Sequence, residues 1–143
     1  MKVSKNGQYA LVCIVDLAVH SCGSHVSVSS IANRQNIDHR IISQIFFILK
    51  KSGLLIGIRG KAGGYSLSKD AAQITAGDVV RMIEGSLAPT DCSLMSEKKI
   101  KCDTSDTCFT RTLWQRMARE IDAVLDSITI ADIAEKYQKE VSL

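Results

Sequence analysis

Leu54-Leu55-Ile56-Gly57-Ile58, then Arg59-Gly60-Lys61-Ala62-Gly63-Gly64, then Tyr65-Ser66-Leu67: the reading of this stretch decides the fold. An apolar run, a glycine-rich tip and a second short run read as strand, turn and strand, because glycine accepts the backbone angles of a tight reversal. Immediately upstream the period becomes helical. Ser27 can cap a helix over Val28–Gln35, Asn36 suits a left-handed stop, and Asp38 can cap a second helix that Gly53 ends. In that second helix Ile42, Ile45, Phe46 and Leu49 recur at i, i+3, i+4, i+7 and must face a core, which leaves His39, Arg40, Ser43, Gln44 and Lys50 outward. Two helices joined by a tight turn and followed by a hairpin describe a winged helix-turn-helix.

Further out, Tyr9–Val19 is apolar on two adjacent stripes and reads as a buried helix. Thr75 with Asp78 resembles a capping box for a helix that buries Ala76, Val79, Val80 and Ile83 and closes at Gly85. Periodicity disappears from Ser86 to Thr107 and returns as a long amphipathic helix marked by Trp114, Met117, Ala118, Ile121, Leu125 and Ile128. A last short helix starts at Thr129, capped through Asp132, and buries Ile130, Ile133, Ala134 and Tyr137. Nothing of equal length in the chain can cover the long helix, so its stripe is expected to pack on a second copy. The expected fold is mainly α with a small two-stranded wing. Residues 1–85 form a winged helix-turn-helix domain, residues 86–108 a cysteine-bearing sensor loop, and residues 109–143 a dimerisation helix with a short C-terminal helix.

The 143 residues, 45% hydrophobic and 23% charged with a single proline, suit one ordinary domain with a helical appendage and exclude collagen-like and linker-dominated chains. Tyr9–Val19 contains Asp16 and falls far short of the roughly 20 residues that span a bilayer. No cleavage site follows it, so neither a membrane anchor nor a leader is expected, and a cytoplasmic location is.

The net charge of +3 hides a division. Residues 1–85 hold ten Lys and Arg against five Asp and Glu, while residues 86–143 hold eight against ten. Positions 39–69 carry Arg40, Lys50, Lys51, Arg59, Lys61 and Lys69 and no acidic residue. Such a face attracts a phosphate backbone by counterion release, and the second helix of a helix-turn-helix is the one that enters the major groove of double-stranded DNA. The expected DNA-binding residues are Ser29, His39, Arg40, Ser43, Gln44, Lys50, Lys51, Arg59 and Lys61. Gln44 can pair with adenine and Arg40 with guanine, and Arg59 suits a narrow minor groove. A winged helix that binds protein instead would carry the same charge as a solvated surface. No catalytic constellation is present, so an enzyme is not expected.

Five cysteines are many for a chain of this kind. Cys13 and Cys22 lie on or just past the apolar first helix, whereas Cys92, Cys102 and Cys108 fall within one loop beside Lys98, Lys99 and Lys101. In a reducing compartment three such thiols can hold a soft metal or an iron–sulphur cluster, undergo thiol redox chemistry, or be inert, and spacing leaves the three readings open. His20, His25 and His39 are scattered and read as cap, turn or surface residues.

Several segments together carry a family resemblance: Gly7-Gln8-Tyr9-Ala10, Ile31-Ala32-Asn33-Arg34-Gln35-Asn36-Ile37, the wing Arg59–Leu67, Leu87-Ala88-Pro89 leading to Cys92, Leu113-Trp114, and Leu125-Asp126-Ser127-Ile128-Thr129. The chain resembles the IscR-type winged-helix transcription regulators, whose relatives include NsrR and CymR. The resemblance implies a homodimer, with the long helix crossing to the partner, that binds a pseudo-palindromic operator as a repressor. In the cluster-binding branch, it implies that cysteines at the positions of Cys92, Cys102 and Cys108 hold an iron–sulphur cluster, of two-iron or four-iron type, that senses iron–sulphur status, redox state or nitric oxide. The alternative is a cluster-free regulator of the same fold that senses thiol oxidation or a partner protein. The position of the IscR histidine ligand is Arg111 here and that of the NsrR aspartate is Gln8. The fourth ligand stays open among Asp91, Asp103, Asp106, Gln8, a water and a small thiol. Ser43 replaces a glutamate and Lys61-Ala62 a more usual Pro-Gly, so no operator preference carries over.

Overall fold

The computed structural model describes residues 2–61, 63–93 and 108–142. Cys102, Asp103 and Asp106 lie outside the described residues. Helix α1 (Lys5–His20) is capped by Ser4, whose hydroxyl accepts from the Gly7 N–H. Helix α2 (Val28–Gln35) begins under Ser27 and ends at Asn36, which takes the left-handed conformation with φ 52°. Helix α3 (His39–Lys51) starts where the Asp38 carboxylate accepts from the Arg40 N–H at 2.7 Å. All three caps are side chains that satisfy first-turn N–H groups with no helical partner, the physical reason those residue types mark the boundaries.

Strands β1 (Leu55–Ile58) and β2 (Gly64–Leu67) pair antiparallel with Leu55 opposite Leu67 and Gly57 opposite Tyr65. The wing is fastened on both sides. Val26 and Tyr65 exchange backbone hydrogen bonds of 2.9 and 2.8 Å, which extends the hairpin to the segment before α2. The Tyr65 ring meets Phe46 of α3 edge to face, with ring centroids 5.1 Å apart. Gly64 is required at this join, because a Cβ there would run into the Val26 carbonyl.

Helix α4 (Ala76–Glu84) begins with the expected capping box of Thr75 and Asp78 and stops at Gly85. Helix α5 (Arg111–Ser127) and helix α6 (Ile130–Val141) complete the chain. The core comprises the inner faces of α1, α3 and α4 with Ile31, Ile37, Leu54 and Leu55; Ile42, Ile45, Phe46 and Leu49 are all buried in it. Helix α6 belongs to that core as well: Ile130 is fully buried, and Ile133, Ala134 and Tyr137 pack against it. Its start is stitched to α4 by the Ala76 N–H donating to Ile128 O and the Ile130 N–H to Ile74 O, both at 2.8 Å. Helix α5 differs. It packs against α4, held by Arg81 to Asp122 at 3.2 Å and to Asp126, yet of its apolar stripe only Ala118 is buried within this chain.

A buried charge ties α1 to α2. Asp16, 1% exposed within an otherwise apolar helix, accepts from Arg34 Nε at 3.0 Å, Arg34 Nη2 at 2.6 Å and Gln35 Nε2 at 2.7 Å. Its carboxylate is satisfied by a bidentate guanidinium and an amide, so the burial does not leave the charge unpaired.

Candidate nucleic-acid interface and thiol site

The outward face of α3 is built by its own period. His39, Arg40, Gln44, Lys50 and Lys51 are exposed and Ser43 is half-buried, with the Ser43 hydroxyl 3.3 Å from His39 Nδ1. Lys50 reaches over the wing and passes close to Gly57 of β1, so a side chain at Gly57 would crowd its methylenes. Arg59 and Lys61 stand exposed at the wing tip, where Gly60 adopts φ 117°. Ser29 is exposed in the first turn of α2. Lys61 also lines a cleft with Ser27, Ser30, Arg34, His20 and Gly63, which brings the wing tip and the start of α2 to one place. The wing thus meets the start of α2 at its tip and Lys50 of α3 along β1.

Two further side chains share the α3 face without having been singled out by charge: Phe47 is 62% exposed and Ile48 is 42% exposed. They line a shallow depression with Ser43 and Gln44. Helical spacing places Phe47 on this face, four residues after Ser43 and three before Lys50.

The described cysteines fall into three environments, and none is in a disulfide. Cys13 is fully buried, and burial, reinforced by the nearby Asp16, pushes its thiol up to about 12. Cys22 is exposed in the turn after α1. Cys92 sits half-buried in the turn Asp91–Ser93, which packs against α5, with its sulphur 3.1 Å from the Thr90 hydroxyl. Cys108 lies just before α5, its sulphur 3.2 Å from the Thr110 hydroxyl. That hydroxyl, followed by the Thr110 backbone and Arg111, holds the Cys108 thiol below its ordinary range. Cys92 and Cys108 are thiols of the kind that soft metals take as ligands, but among the described residues no three His, Cys, Asp or Glu side chains come together as a metal-binding group. Of the open fourth-ligand candidates, Asp91 shares the Cys92 turn, while Gln8 on α1 donates its side-chain amide to Val3 O at 3.2 Å.

A model of the Rrf2 family, described as iron-dependent transcriptional regulators, matches residues 3–136. The chain belongs to the Rrf2 family. This Rrf2 protein is 35% identical over 133 residues to the HTH-type transcriptional regulator IscR of Serratia proteamaculans, covering 93% of this chain and 79% of that one. Among solved structures it is similar to T. potens IscR, with TM-score 0.77 and 33% identity over 98% of this chain and 90% of the other. It is also similar to CymR (YrzC), the global cysteine regulator of B. subtilis, with TM-score 0.76 and 32% identity over 95% and 98%. The winged-helix fold and the family are therefore as expected from the sequence, and the protein is a DNA-binding transcription regulator whose relatives are regulators and not enzymes. Among the described residues no helix is long and apolar enough to cross a membrane.

Proposed function

We propose that this Rrf2 regulator is a homodimeric, cytoplasmic repressor that binds an operator in double-stranded DNA through Ser29, His39, Arg40, Ser43, Gln44, Lys50, Lys51, Arg59 and Lys61. In this reading Cys92, Cys102 and Cys108 hold an iron–sulphur cluster that adjusts the affinity. The observation that carries it is the pairing, in one small chain, of an acid-free basic face on α3 and the wing with hydroxyl-supported thiols beside α5. When bound, a cluster would supply a centre sensitive to oxidation, nitric oxide or iron supply. The chain's own part is local. Thr90 and Thr110 orient two sulphurs, and Arg81 fastens α4 to α5, so a change in how the cysteine turn sits on α5 bears directly on the helix that backs α1 and α3. Two dimer arrangements that differ in operator affinity are all that a switch requires.

Anaerobic reconstitution followed by iron and sulphide analysis tests the cluster. Visible absorption that disappears when Cys92, Cys102 or Cys108 is changed to Ala, and survives Cys22→Ala, is the expected result. A colourless, iron-free protein removes the cluster from the mechanism. A second reading, of a cluster-free thiol sensor, draws on the acidified Cys108 and on the structural likeness to a cysteine regulator. Reversible disulfides among the same cysteines, mapped by mass before and after peroxide, distinguish it.

A further inference from the structure

We infer that Phe47, with Ile48 beside it, reads thymine methyl groups in the major groove, an inference that rests on the DNA-binding reading above and adds a specificity determinant to it. Phe47 and Ile48 are exposed side by side and line one depression with Ser43 and Gln44, and the surroundings of Phe47 say which kind of partner that patch fits. On a helix, neighbours lie three and four residues away. For Phe47 these are Gln44 and Ser43 on one side and Lys50 and Lys51 on the other, so the ring stands in the middle of the outward face of α3. The nearest acidic residues in sequence are Asp38, engaged in capping α3, and Asp70, engaged in capping the turn after the wing. An apolar protein partner would have to strip water from Lys50 and Lys51 on one side and from the polar groups of Ser43 and Gln44 on the other. A polyanion is drawn to the two lysines, and the groove floor of duplex DNA presents one strongly apolar group, the C5-methyl of thymine, which side chains such as Phe contact.

The geometry fits this division of labour. Ile42, Ile45, Phe46 and Leu49 are buried and fix the rotation of α3, and the Phe46–Tyr65 contact locks the helix to the wing. Phe47 is thereby held outward by the residues that flank it in the chain. Ser43 and Gln44, which line the same depression as Phe47 and Ile48, supply hydrogen bonds to base edges, while the two apolar side chains supply contact surface. A half-site recognised by this helix should therefore contain thymine within reach of Phe47, one or two base pairs from the position read by Gln44.

The test begins with the full-length protein and a randomised duplex library, from which the preferred site is selected. Thymines of that site are then replaced one at a time by deoxyuridine, which removes the methyl and leaves every hydrogen-bonding group. The parent should lose about fourfold in affinity at a contacted thymine, the worth of one buried methyl, and Phe47→Ala should bind the thymine and deoxyuridine duplexes equally. Because Phe47 is outside the core, the variant is expected to melt with the parent. Equal affinity of the parent for both duplexes overturns the inference without any variant being made. So does a Phe47→Ala protein that keeps the parent's preference for thymine. A chain that selects no sequence, and whose DNA affinity is indifferent to salt, overturns the DNA-binding reading itself and the inference with it.

Discussion

Two cysteines in this chain illustrate how far environment separates identical side chains. Cys13 is enclosed by the core with Asp16 one turn away, so its thiolate is disfavoured twice, and Cys108 has hydroxyl and backbone donors that favour the thiolate. Lowering a thiol's pKa brings its reactive form to lower pH. In the metal-free protein, iodoacetamide labelling followed by peptide mass analysis should therefore modify Cys108 at a pH where an ordinary thiol is still protonated, and Cys13 only after unfolding. The sequence distinguishes Cys13 from the loop cysteines by its place in an apolar run, but the acidity of Cys108 depends on the Thr110 rotamer, which no pattern reports. Asp16 makes the same point. Its position in a buried helix is legible, its partners are not, because Arg34 and Gln35 reach it only once α2 folds across α1. Arg34→Met should cost about 2 to 3 kcal/mol in urea denaturation, at or below the low end for breaking a buried pair, since Arg34 is about a third exposed and Gln35 remains.

Helix boundaries in this protein are local decisions, and that is why they are readable. Ser27, Asn36, Asp38, Thr75 with Asp78 and Thr129 with Asp132 act within one turn of themselves, and each holds the role its sequence context suggests. The wing is less self-sufficient. A two-stranded hairpin is marginal alone in water, and this one persists because Val26 adds a backbone pair on its open side and Tyr65 packs on Phe46. Gly64 therefore has two tasks, a place in the tip motif and a close approach to Val26 that only the folded chain reveals. Gly64→Ala should destabilise the protein by about 1 to 3 kcal/mol. Hydrogen exchange should show lost protection at the Val26 and Tyr65 amides; protection equal to the parent's would mean that the wing does not depend on this approach.

Helix α5 raises the question of assembly. Leu113 is 51% exposed and Val124 57% exposed, while Phe109 just ahead of the helix is 94% exposed. An amphipathic helix left this open in one chain is expected to close against its counterpart in another. Val124→Glu should then shift the sedimentation coefficient from dimer to monomer at micromolar concentration. It should also weaken operator binding by about 100-fold or more, because the two half-sites no longer act together. Sedimentation of the parent as a monomer would remove this role from α5.

The residue pattern alone determined helices α1 to α6 and the wing, the caps of α2, α3, α4 and α6, the buried stripe of α3, the run of basic residues and the family, because each depends on neighbours a few positions apart or on charge that needs no partner to be counted. The Ser4 cap and the first turn of α1 came only with the structure. Tertiary structure decided what depends on approach between distant segments. Helix α6 returns to α1 and places Ile130 in the winged core, the buried Asp16 finds Arg34, and the wing tip meets the start of α2. The exposure of Phe47 belongs with these. A 3.6-residue period assigns it a side of the helix, but only the packing of Phe46 against Tyr65 and of Ile42, Ile45 and Leu49 into the core fixes that side toward open solvent beside Lys50 and Lys51.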